Sequence, residues 1–271
     1  MTVGIVIAIV IVVLFLLYVL STTGRTNHPG LKSLQGRAYA HRGLHDDKIP
    51  ENSMEAFRRA KEAEYGVELD VHLLKDGNLA VFHDGTLIRM TGKEGKVKDL
   101  TTEQLREYRL NNTNQTIPTF REVLDLFDGQ VPLIVELKEE GNCAALCEKV
   151  CQMMDTYKGI YCMESFDPRC VRWLKKNRPD VIRGQLCENY FRPNKANLPW
   201  ILKVLLTNQI LNFLTLPDFI AYKHRDRAHF SNYICRKFWG LQGVTWTVSS
   251  EEEYSNAIKE NWIVIFEGVK P

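Results

Sequence analysis

The chain has 271 residues, 45% of them hydrophobic and 25% charged, and a net charge of only +2. That is ample for a buried core and too balanced for bulk electrostatic attraction to nucleic acid. No phosphate-loop, dinucleotide-binding or zinc-type cysteine spacing occurs, so the usual nucleotide and zinc signatures are absent.

Val3 to Leu20 runs without one charge, which is long enough to cross hydrocarbon. A cleavable signal peptide usually has a basic start and a small-residue cleavage site. Met1-Thr2 carries no basic side chain, and Ser21-Thr22-Thr23-Gly24 is a poor match to such a site. Residues 1–20 therefore read as a single transmembrane anchor. Arg25, Lys32 and Arg37 follow the span and no basic residue precedes it, so the positive-inside bias places the remainder on the cytoplasmic face of a cell membrane. Residues 21–35, polar and containing Pro29-Gly30, read as a linker. Residues 36–271, about 235 in number, match the length of one α/β barrel.

Within that domain strand-like and helix-like segments alternate. A short strand at 37–40 leads to a helix capped by Asn52 or Ser53 and running to about Glu64. Residues 66–73 alternate as a strand, and Asp76-Gly77 turns the chain into a second strand at 79–82. The stretch 84–130 is rich in Thr, Gly and charge, with helices expected near 101–108 and 119–127. A strand at 131–137 precedes a helix carrying Cys143, Cys147 and Cys151 at four-residue intervals, a face suited to packing against a sheet. Strand-helix pairs follow at 159–163 with 167–177, 181–186 with a long apolar region, 217–221 with 229–239, and 243–248 with 251–260. The last strand is 262–266. Eight strand positions separated by helices favour a closed parallel barrel. The seven cysteines are an odd number in a large domain, unlike a secreted disulfide framework.

Strand alternation exposes the chemistry. In Gly66-Val67-Glu68-Leu69-Asp70-Val71 the apolar residues share one face, and Glu68 and Asp70 share the other, aimed into the barrel. Two inward carboxylates repel unless a hard cation or a salt bridge from another strand joins them. Leu133 to Lys138 repeats the pattern, with Glu136 and Lys138 inward: a third oxygen ligand beside a cation for an anionic substrate, or a buried ion pair. His83 ends the hairpin strand and, paired with His41, forms a candidate acid/base couple. Arg42 adds a forked cation for phosphate oxygens. Metal-assisted cleavage of a phosphodiester needs such a set.

These residues resemble the glycerophosphodiester phosphodiesterase family, in a membrane-anchored, bacterial-type form. The matching pieces are His41-Arg42-Gly43, Pro50-Glu51-Asn52-Ser53, Glu68-Leu69-Asp70-Val71, His83-Asp84, Glu136-Leu137-Lys138 and Trp246-Thr247-Val248, in the family's order across 36–271. The resemblance implies a TIM (β/α)8 barrel, with the 84–130 region as the family's insertion after its second strand and the site at the C-terminal ends of the strands. It further implies that Glu68, Asp70 and Glu136 hold Ca2+ or Mg2+, that His41 and His83 are the acid/base pair, that Arg42 and Lys138 neutralise the phosphate, and that Trp246 lines the pocket. The closing stretch Ile265 to Pro271 departs from the family's motif, which carries an aspartate before its last proline.

The implied reaction is hydrolysis of a glycerophosphodiester to glycerol 3-phosphate and an alcohol through a cyclic phosphate. Two other readings share these residues: a lysophospholipase D cleaving a one-chain lipid, and a membrane-anchored binding protein without turnover. Residues 198–214 are too apolar for an ordinary barrel helix, and read as buried under an insertion, as a dimer contact, or as resting in a membrane interface. Lys223-His224-Arg225-Asp226-Arg227 reads as a solvated loop, able to meet anionic headgroups.

Overall fold

The computed structural model describes residues 2–192 and 198–271; Met1, part of the expected anchor, lies outside them. In chain order the elements are α1 (Thr2–Ser21), β1 (Ala38–His41), α2 (Met54–Glu62), β2 (Gly66–Leu73), β3 (Leu79–Val81), α3 (Ile88–Thr91), α4 (Phe120–Phe127), β4 (Leu133–Leu137), α5 (Cys143–Met154) and β5 (Tyr161–Ser165). There follow α6 (Pro168–Asn177), β6 (Arg183–Cys187), α7 (Trp200–Thr207), α8 (Asn212–Thr215), β7 (Phe219–Lys223), α9 (Phe230–Tyr233), β8 (Gln242–Val248), α10 (Glu251–Lys259) and β9 (Trp262–Phe266).

Eight strands pair in parallel, and β1 bonds both β9 and β2, which closes the ring. The short β3 is appended antiparallel to the far end of β2. The fold is a TIM barrel. Its outward strand residues, such as Val67, Leu69, Val71, Leu133 and Val135, are buried beneath a helical layer with Phe57, Phe120, Val123 and Cys147. Cys151 joins the same layer, so the cysteine face of α5 is packing surface. All seven cysteines are free thiols.

The barrel interior is layered. Tyr39, Ile134, Cys162, Phe219, Val244 and Ile263 fill its lower half, and the carboxylates of β2, β4 and β5 sit above them. The expected linker is part of this floor. Leu34, 1% exposed, packs into the lower layer. Arg25 grips Asp218 at the foot of β7 with two bonds of 2.5 and 2.6 Å and also donates to the Val181 carbonyl. His28 donates to the Asp180 carbonyl at 2.8 Å. Residues 22–35 are thus a strap across the N-terminal end of the barrel. They read as a linker because the partners of Arg25 and His28 lie more than 150 positions away in the chain.

The stretch after β3 builds a satellite core from Phe82, Leu87, Met90, Val97, Leu100, Leu105 and Ile117. Within it a 3-10 turn at Glu103–Glu107 stands where a helix was expected. α4 belongs to the barrel proper: Phe120, Val123, Leu124 and Phe127 join the main core. The Lys223–Arg227 segment is no solvated loop. His224 and Asp226 are buried, with His224 against the Thr245 hydroxyl and Asp226 accepting from Arg192. The 198–214 segment folds as α7 and α8, and among the described residues none buries Trp200, 69% exposed, or Ile201, 54% exposed.

Candidate active site

The ends of β1, β2, β4 and β5 set the site. Asp70 stands opposite Glu136 in the β2–β4 register, and Glu136 stands opposite Glu164 across β4–β5. Glu68, Asp70 and Glu136 are all buried, and each offers an oxygen within 4.8 Å of the others. Glu164 completes a row of four inward carboxylates. Sequence reasoning passed over it because Tyr161–Ser165 carries one acid only; its parity with the inward Cys162 was the available signal.

Two cations from the protein touch this row. Lys138 Nζ bridges Glu136 at 2.7 Å and Asp70 at 3.0 Å. Arg42 Nε lies 3.3 Å from Asp70, and its Nη1 donates to Glu51 at 2.7 Å. Burial alone pushes Asp70 up, but the Lys138 ammonium and the Arg42 guanidinium hold it well below the usual carboxylate range. Burial raises Glu68 and Glu164 well above that range, with neighbouring carboxylates adding to the effect, and raises Glu136 to about 7 against the pull of Lys138. Four carboxylates thus meet two fixed cations, and Glu164 Oε2 is buried without a hydrogen-bond partner. An all-oxygen donor set short of two positive charges suits a hard divalent cation.

The motif around Arg42 explains its own residue types. Arg42 turns at φ +55°, its N–H donating to the Glu68 carbonyl at 2.9 Å. Gly43 follows at φ +82°, where a β-carbon would stand 2.8 Å from the Ala56 carbonyl carbon. Only glycine fits there. In the next motif Glu51 joins Arg42 to Arg89, Asn52 donates to Asp70 at 2.8 Å, and Ser53 caps α2 by accepting from the Ala56 N–H. Burial opposes it, yet the two arginines hold Glu51 down to about 2.

The histidines are held alike. His41 Nδ1 bonds Glu267 at 2.7 Å, with its Nε2 4.0 Å from Glu68, and His83 Nδ1 bonds Asp84 at 2.6 Å. With Nδ1–H donating to a carboxylate, the neutral ring leaves Nε2 as the acceptor. Burial lowers His41 despite the Glu267 bond, and burial is also the main cause that takes His83 down to about 4. Glu267 sits in the stretch that departs from the expected closing motif, yet its carboxylate reaches His41.

His41, Arg42, Glu68, His83, Glu136 and Glu164 line one cavity of about 330 Å3 with Phe166, Lys223 and Trp246. The Trp246 ring meets Phe166 edge-on, and Lys223 Nζ lies 4.9 Å above it. Lys138 borders instead an adjoining groove of about 750 Å3, which shares His83, Glu136 and Phe166 with the cavity.

The model of the glycerophosphoryl diester phosphodiesterase family matches residues 41–264, the span that holds both histidines and all four carboxylates. The chain belongs to this family. It is an enzyme of the glycerophosphodiester phosphodiesterase class. A glycerophosphodiester phosphodiesterase of Caldanaerobacter subterraneus is 30% identical over 236 residues, covering 81% of this chain and 88% of that protein. The bovine glycerophosphodiester phosphodiesterase 1 is 43% identical over 247 residues, covering 80% and 73%. An Oleispira antarctica phosphodiesterase, solved with the product sn-glycerol-3-phosphate, shares the fold with a TM-score of 0.69 at 21% identity, covering 87% of this chain and 94% of that one.

Proposed function

We propose that the protein is a metal-dependent phosphodiesterase that releases glycerol 3-phosphate and an alcohol from a glycerophosphodiester. The observation that carries this reading is the meeting of His41 and His83 with Glu68, Glu136 and Glu164 in one cavity, each imidazole braced at Nδ1 by its own carboxylate. Glu68, Asp70 and Glu136 would hold Ca2+ or Mg2+, which when bound supplies Lewis-acid polarisation of a phosphoryl oxygen. Arg42 and Lys138 bring positive charge to the phosphate, and Trp246 walls the glycerol side.

One histidine takes the proton of the substrate's 2-hydroxyl through Nε2. Its oxygen then bonds phosphorus, the bond to the alcohol oxygen breaks, and the second histidine, which enters this step as the imidazolium, gives its Nε2 proton to that leaving oxygen. Water opens the cyclic phosphate with the roles reversed, which returns both imidazoles to their starting states. A 2-deoxy analogue tests the route: it should bind and scarcely turn over, and rapid hydrolysis of it would establish direct attack by water instead.

A second reading, lysophospholipase D-type cleavage, has its own observation. The adjoining groove is walled by Leu198, Leu202, Leu206 and Leu211, a lining suited to one acyl chain. Rates on glycerophosphocholine and lysophosphatidylcholine separate the two readings. α1 is the anchor in either case. Residues Val3–Ser21 have a mean hydropathy of 3.4, and the basic residues lie after them, which supports a cytoplasmic barrel. Protease added to intact cells should leave the domain whole; digestion without lysis reverses the orientation.

A further inference from the structure

The anchor does not leave the barrel at random. Arg25 is fixed at the foot of β7, beside Asp218. Moving back along the chain, the Thr22 carbonyl accepts from Cys235 Sγ at 3.5 Å and the Val19 carbonyl accepts from Trp239 Nε1 at 2.9 Å. The Tyr18 ring then stacks on Phe230 at 6.4 Å. Phe230 opens α9, which follows the segment leaving the C-terminal end of β7. The strap is thus held at the N-terminal end of the barrel, and Tyr18 of α1 meets the start of α9, beyond the C-terminal end of β7. Residues 3–17 are exposed.

No spacer separates span from barrel. Tyr18 and Val19 belong to the apolar span and also touch the barrel wall. Hydrocarbon that covers the span thus comes down to the catalytic end. Trp200 and Ile201 at the start of α7 and Phe230 and Tyr233 of α9 are among the large apolar side chains exposed on the segments that follow β6 and β7. Trp and Tyr favour the headgroup layer, where one edge of the ring is dry and the other wet. α7 has a second part in this arrangement, since Leu202 and Leu206 wall the groove that opens into the catalytic cavity.

We propose that the barrel rests on the bilayer by its catalytic end, with Trp200 and Ile201 of α7 and Phe230 and Tyr233 of α9 in the headgroup layer. The partner is the lipid surface that holds α1, so the inference rests on reading α1 as a span. Its consequence is that a lipid substrate reaches the site along the α7 groove from the membrane side.

The test uses the full chain in phosphatidylcholine vesicles, with and without bromine on the acyl chains. Brominated lipid should quench part of the tryptophan emission, and Trp200→Phe should remove a resolved share of that quenching while Trp262→Phe does not. Quenching unchanged by Trp200→Phe overturns the proposal. Failure of the chain to float with the vesicles overturns the anchor reading along with it, whereas flotation without a Trp200 contribution overturns the docking alone. Independently, Ile201→Glu with Phe230→Glu should slow hydrolysis of vesicle-borne lysophosphatidylcholine about tenfold and leave the rate on water-soluble glycerophosphocholine unchanged. Equal rates for the variant and the wild-type chain on the vesicle substrate count against the docking, and inactivity of the wild-type chain on both substrates counts against the proposed chemistry.

Discussion

Glu267 accepts the Nδ1 proton of His41 at 2.7 Å, joining the end of β1 to the residue that follows β9. The bond fixes which nitrogen of His41 faces the cavity, and it places the seam of the closed barrel beside the proposed acid/base pair. Glu267→Ala should therefore lower kcat with little change in KM, by roughly 10- to 100-fold, less than the ~10²- to 10⁴-fold loss expected for His41→Ala or His83→Ala. Steady-state kinetics of the three variants check the ranking. A Glu267→Ala enzyme with wild-type kcat would remove Glu267 from the mechanism.

Chelation should abolish turnover, and Ca2+ or Mg2+ should restore it. An ion held, as proposed, by the folded carboxylate row and not by the unfolded chain should at a hundredfold excess over Kd stabilise the fold by ~2.7 kcal/mol. Glu68→Ala, Asp70→Ala and Glu136→Ala should each lose both the activity and most of the metal-induced rise in Tm. Thermal unfolding in detergent, with and without metal, reads this directly.

Gly43→Ala should destabilise the protein by about 1–3 kcal/mol, because alanine at positive φ is strained and its β-carbon meets the Ala56 backbone. Urea unfolding in detergent measures it. Activity should fall as well, since Arg42 and Gly43 share the turn.

Glu122 closes a capping box with Thr119 at the start of α4. Burial alone pushes its carboxyl up, but the Thr119 N–H and hydroxyl and the Arg106 guanidinium hold it below the ordinary value. A depressed carboxyl stabilises the fold above its unfolded pKa, and that contribution is lost as pH falls through the folded pKa. Glu122→Ala should thus cost about 0.5–2 kcal/mol at neutral pH, and the gap to the wild-type chain should narrow in acid. Paired urea titrations at the two pH values check the sign.

Strand parity made much of this site legible. Glu68, Asp70 and Glu136 could be placed inside the barrel because their neighbours Val67, Leu69, Val135 and Leu137 alternate with them without a break. Glu164 stood alone in its strand, and only the register against Glu136 shows that it belongs to the row. In the sequence Lys138 reads as a phosphate ligand, with a buried ion pair as the alternative, and its bonds to Asp70 and Glu136 are visible only once two strands lie side by side. Glu267 was obscured by its surroundings, since a motif match compares letters, whereas a longer side chain can still reach the same imidazole. The strap was missed for another reason. Arg25 binds a residue 193 positions away, and no local pattern of polarity reports such a partner.

That strap decides where the molecule can be cut. Between Ser21 and Arg25 the chain passes from the apolar helix α1 to a clamp that belongs to the barrel. A fragment begun just before Arg25 keeps the Asp218 grip and the Leu34 plug, and should refold as a water-soluble enzyme. One begun at Gly36, which the family match from His41 onward would seem to permit, loses both. It would expose Tyr39 and Phe219 from below, and should aggregate although every residue proposed for catalysis is present.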